Sequence, residues 1–153
     1  MDKIIEFEVP GQPVQKKSPH HRPAKGGKFS IVQKHQDNIT YEQRVIAFLK
    51  ASGQWDFTAK PHDGPVCLCV RAFFRPLKSW SKKKHDEMID SYMIKKPDMD
   101  RIENMIQDAL TGLVFVDDCQ VALREPASFK MYSDRPRTWV RIVLMDYEEA
   151  DDD

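Results

Sequence analysis

A chain of 153 residues, 41% hydrophobic and 31% charged, is expected to be one globular domain that buries a core without disulfides. Its apolar runs fall far short of a membrane span, and MDKIIEFEVP carries acids inside its apolar stretch, which excludes a secretory signal and makes the cytoplasm the expected compartment. The net charge of zero hides an asymmetry: six acids lie from Asp146 onward, and removing them from the total of 24 leaves 18 against 24 Lys and Arg, a body of +6. A body of that sign attracts phosphate. The expected division is a domain over residues 1–146 and an acidic, disordered tail over 147–153.

Ile4 to Val9 predicts a half-buried strand, with Ile5, Phe7 and Val9 alternating against Glu6 and Glu8. Pro10-Gly11 breaks it. Gln12 to Lys34 reads as a polar loop with at most a short strand at Phe29 to Val32. It carries Lys16, Lys17, Arg22, Lys25, Lys28 and Lys34 and no acid, which suits a phosphate-contacting arm. Thr40 to Ala51 predicts a helix, with Thr40 and Gln43 as a capping box and Tyr41, Val45, Phe48 and Leu49 as the buried stripe. Pro65 to Phe74 is apolar at nearly every position, as in a central strand covered on both faces.

A second basic block follows, with eight Lys or Arg and three acids from Arg71 to Lys96. Ser81 is the expected cap of a helix running to about Met93, with Lys82, Lys83 and Lys84 in its first turn. Three lysines there oppose the helix dipole, so the charge has another use. Trp80 is read as an anchor of this segment on the core. Further on, Val121 to Lys130 and Thr138 to Leu144 predict two strands forming a hairpin-like pair around Ser133 to Pro136. The order β, α, β, α, α, β, β predicts an α+β fold, a mixed sheet of about four to five strands with helices packed on it. The cysteines Cys67, Cys69 and Cys119 form no disulfide framework and no zinc pattern, and are expected to be reduced and buried.

The chemistry concentrates in KKPDMDRIENMIQDALTGLVFVDDCQ, residues 95–120. Asp98 is a natural N-cap after Pro97, with Asp100 in the first turn. Ile102, Met105, Ile106, Ala109, Leu110 and Leu113 form the apolar stripe. Asp100, Asn104, Gln107 and Asp108 fall opposite it, Asp108 as an exposed structural residue. Gly112 ends the helix. Leu113 to Val116 predicts a short buried strand that delivers Asp117 and Asp118, only one of which can face the helix start. Each acid alone has an ordinary structural explanation. Clustered, two carboxylates about 4 Å apart repel by roughly 4 kcal/mol at an effective dielectric of about 20. Either one holds a proton or a cation sits among them, and hard oxygen ligands suit Mg²⁺ or Mn²⁺.

This stretch resembles the signature of the RusA-type Holliday-junction resolvases, P-D-x-D-N-L-x-K, then D-A-L, a glycine and D-D-x-Q-V. VPGQPVQKKSPHHR and KSWSKKK are similar to members of the same family. The resemblance implies a homodimeric α+β endonuclease of DNA recombination, repair or phage DNA processing. It would resolve four-way junctions by paired symmetric phosphodiester hydrolysis with Mg²⁺, or Mn²⁺ in its place, and no small-molecule cofactor. It makes Asp98, Asp100 and Asp118 the metal ligands and Asp117 an auxiliary catalytic acid. Two positions depart from the pattern: Arg101 stands for Asn, and Asn104 for a catalytic lysine. Arg101, Lys95, Lys96 and Lys130 are the cations that could substitute. Together with Lys16, Lys17, Arg22, Lys82, Lys83 and Lys84 they make the expected DNA-contacting set. The alternatives are a branched-DNA binder of the same fold with weakened or lost catalysis, and a structural domain with an incidental acidic cluster.

Overall fold

A computed structural model describes residues 2–18, 20–23, 30–125 and 127–147, with backbone alone at 20–23 and 30–33. Nearly all of the expected acidic tail lies outside the described residues.

The first strand, β1 (Lys3–Pro10), buries Ile5, Phe7 and Val9, as its alternation requires. The basic segment after it is less irregular than its composition suggests. β2 (His20–Pro23) and β3 (Ser30–Gln33) pair antiparallel as a separate two-stranded ribbon. β2 escaped sequence reading because it is four residues long and ends in proline, which is tolerated at a strand terminus.

The first helix, α1 (Gln36–Ser52), begins before the expected Thr40, so Thr40 and Gln43 form no capping box. His35 stands at the N-cap without a side-chain cap bond. Tyr41, Val45 and Leu49 are buried as expected, and Tyr41 Oη shares a 2.7 Å hydrogen bond with Thr138 Oγ1 in the core. Gly53 closes the helix at φ 69°, a conformation glycine reaches without a Cβ penalty.

The central strand is β4 (Val66–Phe74). Its inward residues Val66, Leu68, Val70, Ala72 and Phe74 are buried. Its outward residues are buried at Cys67 and Cys69 but only half-buried at Arg71 and Phe73, so the expected cover on both faces holds for the first half alone. Arg71 lies over the Trp139 ring, 4.6 Å from its centroid, and Arg137 lies over Phe73 at 3.6 Å. Such cation–aromatic stacking lets long charged side chains cover a sheet face that has no helix on it.

α2 (Lys82–Met88) is capped by Ser81, whose hydroxyl accepts the Lys84 N–H at 3.2 Å. It stops well short of Met93. Asp90, at φ 63°, turns the chain, and the Ser91–Met93 segment then pairs with β6 (Phe129–Tyr132) through Tyr132 N–H to Ser91 O and Met93 N–H to Lys130 O. Trp80 packs against the core and edges onto Tyr132 at 5.1 Å, as expected of an anchor.

α3 (Met99–Leu110) buries Ile102, Met105, Ile106, Ala109 and Leu110 against the sheet and α1. Two of its polar residues, Glu103 and Gln107, are buried as well, which corrects the placement of Gln107 on the open face. Beyond it, β5 (Val121–Arg124) and β6 are two short strands where one was expected. β5 pairs parallel with the first part of β4 and β6 with the last part. β7 (Arg137–Leu144) lies antiparallel between β1 and β4. The expected hairpin between the last two strands therefore does not form. β7 buries Thr138, Val140, Ile142 and Leu144 on one face and is paired along both edges. The result is a mixed five-stranded sheet, order β1-β7-β4-β5 with β6 beside β4, in an α+β fold. No helix among the described residues is long and apolar enough to cross a membrane. The cysteines are free thiols; Cys67 and Cys69 are buried, but Cys119 is exposed, contrary to expectation, because it sits in the turn described next.

Candidate active site and nucleic-acid interface

The aspartates sit at the two ends of the α3 region. Asp98 is at the N-cap, but its side chain makes no cap bond. It takes the Lys96 ammonium instead, at 2.8 Å, and that contact, aided by the nearby charges of Arg101 and Lys130, holds its carboxyl below the usual range. An N-cap carboxylate not spent on the helix is available to a ligand. The preceding loop is braced by Lys130, whose ammonium donates to the carbonyls of Lys95 and Pro97 at 2.8 and 2.9 Å.

Leu113 to Val116 is not a strand. Gly112, at φ 81°, reverses the chain, and Gly112 N–H donates to Phe115 O. Val114 and Phe115 are buried; the segment is tied to the end of α3 by Leu113 N–H and Val114 N–H to Leu110 O, and to His62 by His62 N–H to Val114 O and Val116 N–H to His62 O. The chain then enters a 3-10 turn, Asp118–Gln120, with Asp117 at its N-cap. Gln120 fastens this turn. Its side-chain oxygen accepts Asp117 N–H at 2.8 Å, and its amide nitrogen donates to the carbonyls of His62 and Gly64 at 2.8 and 2.9 Å.

Asp117 and Asp118 shift each other in opposite directions. Their mutual hydrogen bond, with the Cys119 N–H, keeps Asp117 low. The same hydrogen bond, then burial, then the charges of Asp117 and Asp108, push Asp118 up, with Lys16 acting in the opposite sense. Asp108, read from sequence as an exposed structural residue, thus belongs to this acidic neighbourhood. Its carboxylate receives the Lys16 ammonium at 2.7 Å. The signal was there in the spacing: Asp100, Asn104 and Asp108 recur every four residues along one face of α3.

Between the two ends lies an open cleft of about 280 Å³, lined by Lys16, Lys17, Ser18, Asp100, Arg101 and Asn104. Beside it runs a groove of about 380 Å³ that shares Lys17 and adds Arg75, Lys95 and Lys96 over a floor of Phe74, Met93 and Tyr132. A third depression of about 640 Å³ shares Arg75 and Leu77 with that groove and adds Lys78 and Lys82, with His85 paired to Asp86 and Asp134 at its edge. The shared walls make one basic track from the aspartates to α2. Arg75 and Lys78 on this track had not been singled out from sequence. Lys83 and Lys84 lie exposed on α2, with Lys84 over the Trp80 ring. The Arg22 side chain lies outside the described residues.

One acid of α3 is buried. Glu103 is 4% exposed; burial pushes its carboxyl up, Arg124 draws it back and Asp100 adds to the rise. Arg124 lies 2.9 Å away, an ion pair rather than an aligned hydrogen bond.

Hard oxygen donors with open solvent on one side fit a divalent cation that keeps part of its water shell. Mg²⁺ commonly takes one or two protein carboxylates and completes its shell with water and substrate phosphate. That is the limit of the fit: among the described residues no three His, Cys, Asp or Glu side chains converge on one point. Asp117 and Asp118 are brought together, with Asp108 close by, while Asp98 is engaged with Lys96.

The basic track thus reaches the carboxylate-lined entrance of α3 at Asp100. The RusA endodeoxyribonuclease family model matches residues 10–143, and the chain belongs to that family. It is also similar to the uncharacterized protein YqaN of Bacillus subtilis (strain 168), 29% identical over 143 residues that cover 90% of this chain and 94% of that one.

Proposed function

We propose that this chain is a divalent-metal-dependent endodeoxyribonuclease that resolves four-way or otherwise branched DNA junctions as a homodimer. The observation that carries this reading is the continuous basic track running from Lys82 past Arg75 and Lys96 into the cleft at Asp100. Phosphate contacts of this kind fix a strand's register without reading its sequence. The family supports the chemistry, and a two-fold dimer suits two symmetric nicks.

Asp98, Asp100 and Asp118 are the residues that would hold Mg²⁺ or Mn²⁺. Bound there, the cation would neutralise charge on the phosphate and make a water molecule more acidic. The chain's own residues do the rest. Lys95, Lys96 and Lys17 hold the strand by its phosphates. Gln120 and Lys130 fix the two segments that carry the acids. Asp117 orients Asp118 through their hydrogen bond. The test is incubation with a synthetic four-way junction and Mg²⁺ beside a linear duplex of the same sequence. Paired nicks in the junction alone support the reading; equal cutting of both, or of neither, rejects it.

A second reading, a junction binder with weakened catalysis, is favoured by Asn104, a neutral side chain lining the cleft. It predicts junction binding that falls steeply with salt and no nicking with either metal.

A further inference from the structure

We infer that Lys16, on the segment after β1, is a catalytic residue: its ammonium contacts the scissile phosphate and supplies, from across the cleft, the positive charge that the neutral Asn104 does not. The inference rests on the nuclease reading above.

The segment around Lys16 is held by its backbone from two helices. Buried Asn38 on α1 donates through Nδ2 to Gln15 O at 2.9 Å, and its Oδ1 accepts Lys17 N–H at 2.9 Å. From α3, Arg101 O accepts Lys16 N–H at 3.0 Å, and the Arg101 guanidinium donates to Lys16 O at 3.2 Å. Four hydrogen bonds on three consecutive residues fix where one side chain emerges. A segment that only had to offer diffuse charge to DNA would not need a buried asparagine to position it.

The side chain so placed points its ammonium at Asp108, at 2.7 Å, and its charge acts on Asp118. It also lines the cleft with Asp100 and Asn104. Lys16 is thus the cation that faces both acidic ends of the site. Arg101, the cation on α3 itself, has its guanidinium engaged with Lys16 O. Lys130 is engaged with two carbonyls. The neighbouring Lys17 points elsewhere, to Asp37 at 2.5 Å.

In the reaction, a water oxygen bonds to phosphorus as the bond from phosphorus to one sugar oxygen breaks. The water gives up a proton to solvent, and the leaving oxygen takes one up. Negative charge grows on the non-bridging oxygens in between. An ammonium hydrogen-bonded to one of them stabilises that charge without losing a proton, and such preorganised donors are worth about 100-fold or more in rate. Lys16 keeps its proton throughout.

The experiment compares single-turnover cleavage at saturating four-way junction, and junction affinity in EDTA, for five proteins beside the wild type. Lys16→Met should lose about 100-fold in rate with affinity changed less than about 3-fold. Lys16→Arg should keep most of the rate. Lys60→Met, which removes one positive charge from an exposed lysine away from the cleft, should leave both the saturated rate and the affinity unchanged. Asn104→Lys alone should change little, but in the Lys16→Met background it should restore at least about 10-fold, because it returns a cation to the same cleft. Lys16 is partly exposed, so these chains should melt with the wild type. Lys16→Met cutting at the wild-type rate, a loss confined to affinity, or no rescue by Asn104→Lys overturns the inference. A wild type that cuts no junction overturns the nuclease reading and this inference with it.

Discussion

The side-chain oxygen of Gln120 accepts the backbone N–H of Asp117 at 2.8 Å, while the same side chain donates to the carbonyls of His62 and Gly64. One amide thus ties the acidic turn to the loop that leads into β4. Gln120→Ala should remove three partly exposed hydrogen bonds and cost about 1 kcal/mol in urea unfolding. Gln120→Glu should cost at least as much, because it aims carboxylate oxygen at two carbonyls. A stability within about 0.5 kcal/mol of wild type for both would show that the turn is held some other way.

The Lys130 ammonium ties β6 to the loop before Asp98. Lys130→Met keeps the length of the stem and removes two charge-assisted hydrogen bonds. The expected loss is about 1–2 kcal/mol, given partial exposure. Native-state hydrogen exchange should show faster opening at Met93, whose N–H bonds Lys130 O, and around residues 99–102. Unchanged exchange there would remove Lys130 from the positioning of Asp98.

Much of this was legible in the sequence, and the failures share a cause. The alternation of β1, the stripe of α3, the Ser81 cap and the N-cap position of Asp98 are local patterns, and each appears where the pattern put it. Strand partnership is not local. The last strand is expected to form a hairpin with its neighbour in sequence, yet it inserts between β1 and β4, where both of its edges are paired. The stretch 113–116 looked like a strand because it is apolar; it is apolar because Val114 and Phe115 fill the core from a turn. Lys16 and Asp108 meet across 92 positions of sequence, and no spacing rule within one element reaches that far.

Burial raises the Glu103 carboxyl, and Arg124 offsets part of that rise. The sign follows from linkage. The folded chain holds this proton more tightly than the unfolded chain, so Glu103's contribution to stability falls as pH rises from about 4.5 through its raised value. Arg124→Ala should therefore cost about 1–2 kcal/mol at pH 7 and progressively less as pH falls through that window, where Glu103 takes a proton. Glu103→Gln should remove that part of the pH slope. A cost for Arg124→Ala that is independent of pH would mean that packing, not charge, is what Arg124 contributes.

The Asp117–Asp118 pair makes a separate prediction about metal. Asp118 is raised by its hydrogen bond with Asp117, then by burial and by the charges of Asp117 and Asp108. A divalent cation held by Asp118 competes with protons for that carboxylate. Its apparent affinity should rise with pH from the ordinary carboxylate value of 3.8 through the raised value and then level off. Calorimetry with Mn²⁺ on the protein without DNA reads this directly. Asp118→Asn should flatten the rise; an unchanged profile in that variant would place the metal away from Asp118.

On the proposed function, these aspartates perform the cutting and the basic track does the holding. The most direct measurement is Asp118→Asn assayed on one synthetic four-way junction, for affinity in EDTA and for nicking in Mg²⁺. The expected result is wild-type affinity within about 3-fold and a nicking rate reduced at least about 100-fold. Nicking at the wild-type rate by this variant would contradict the account.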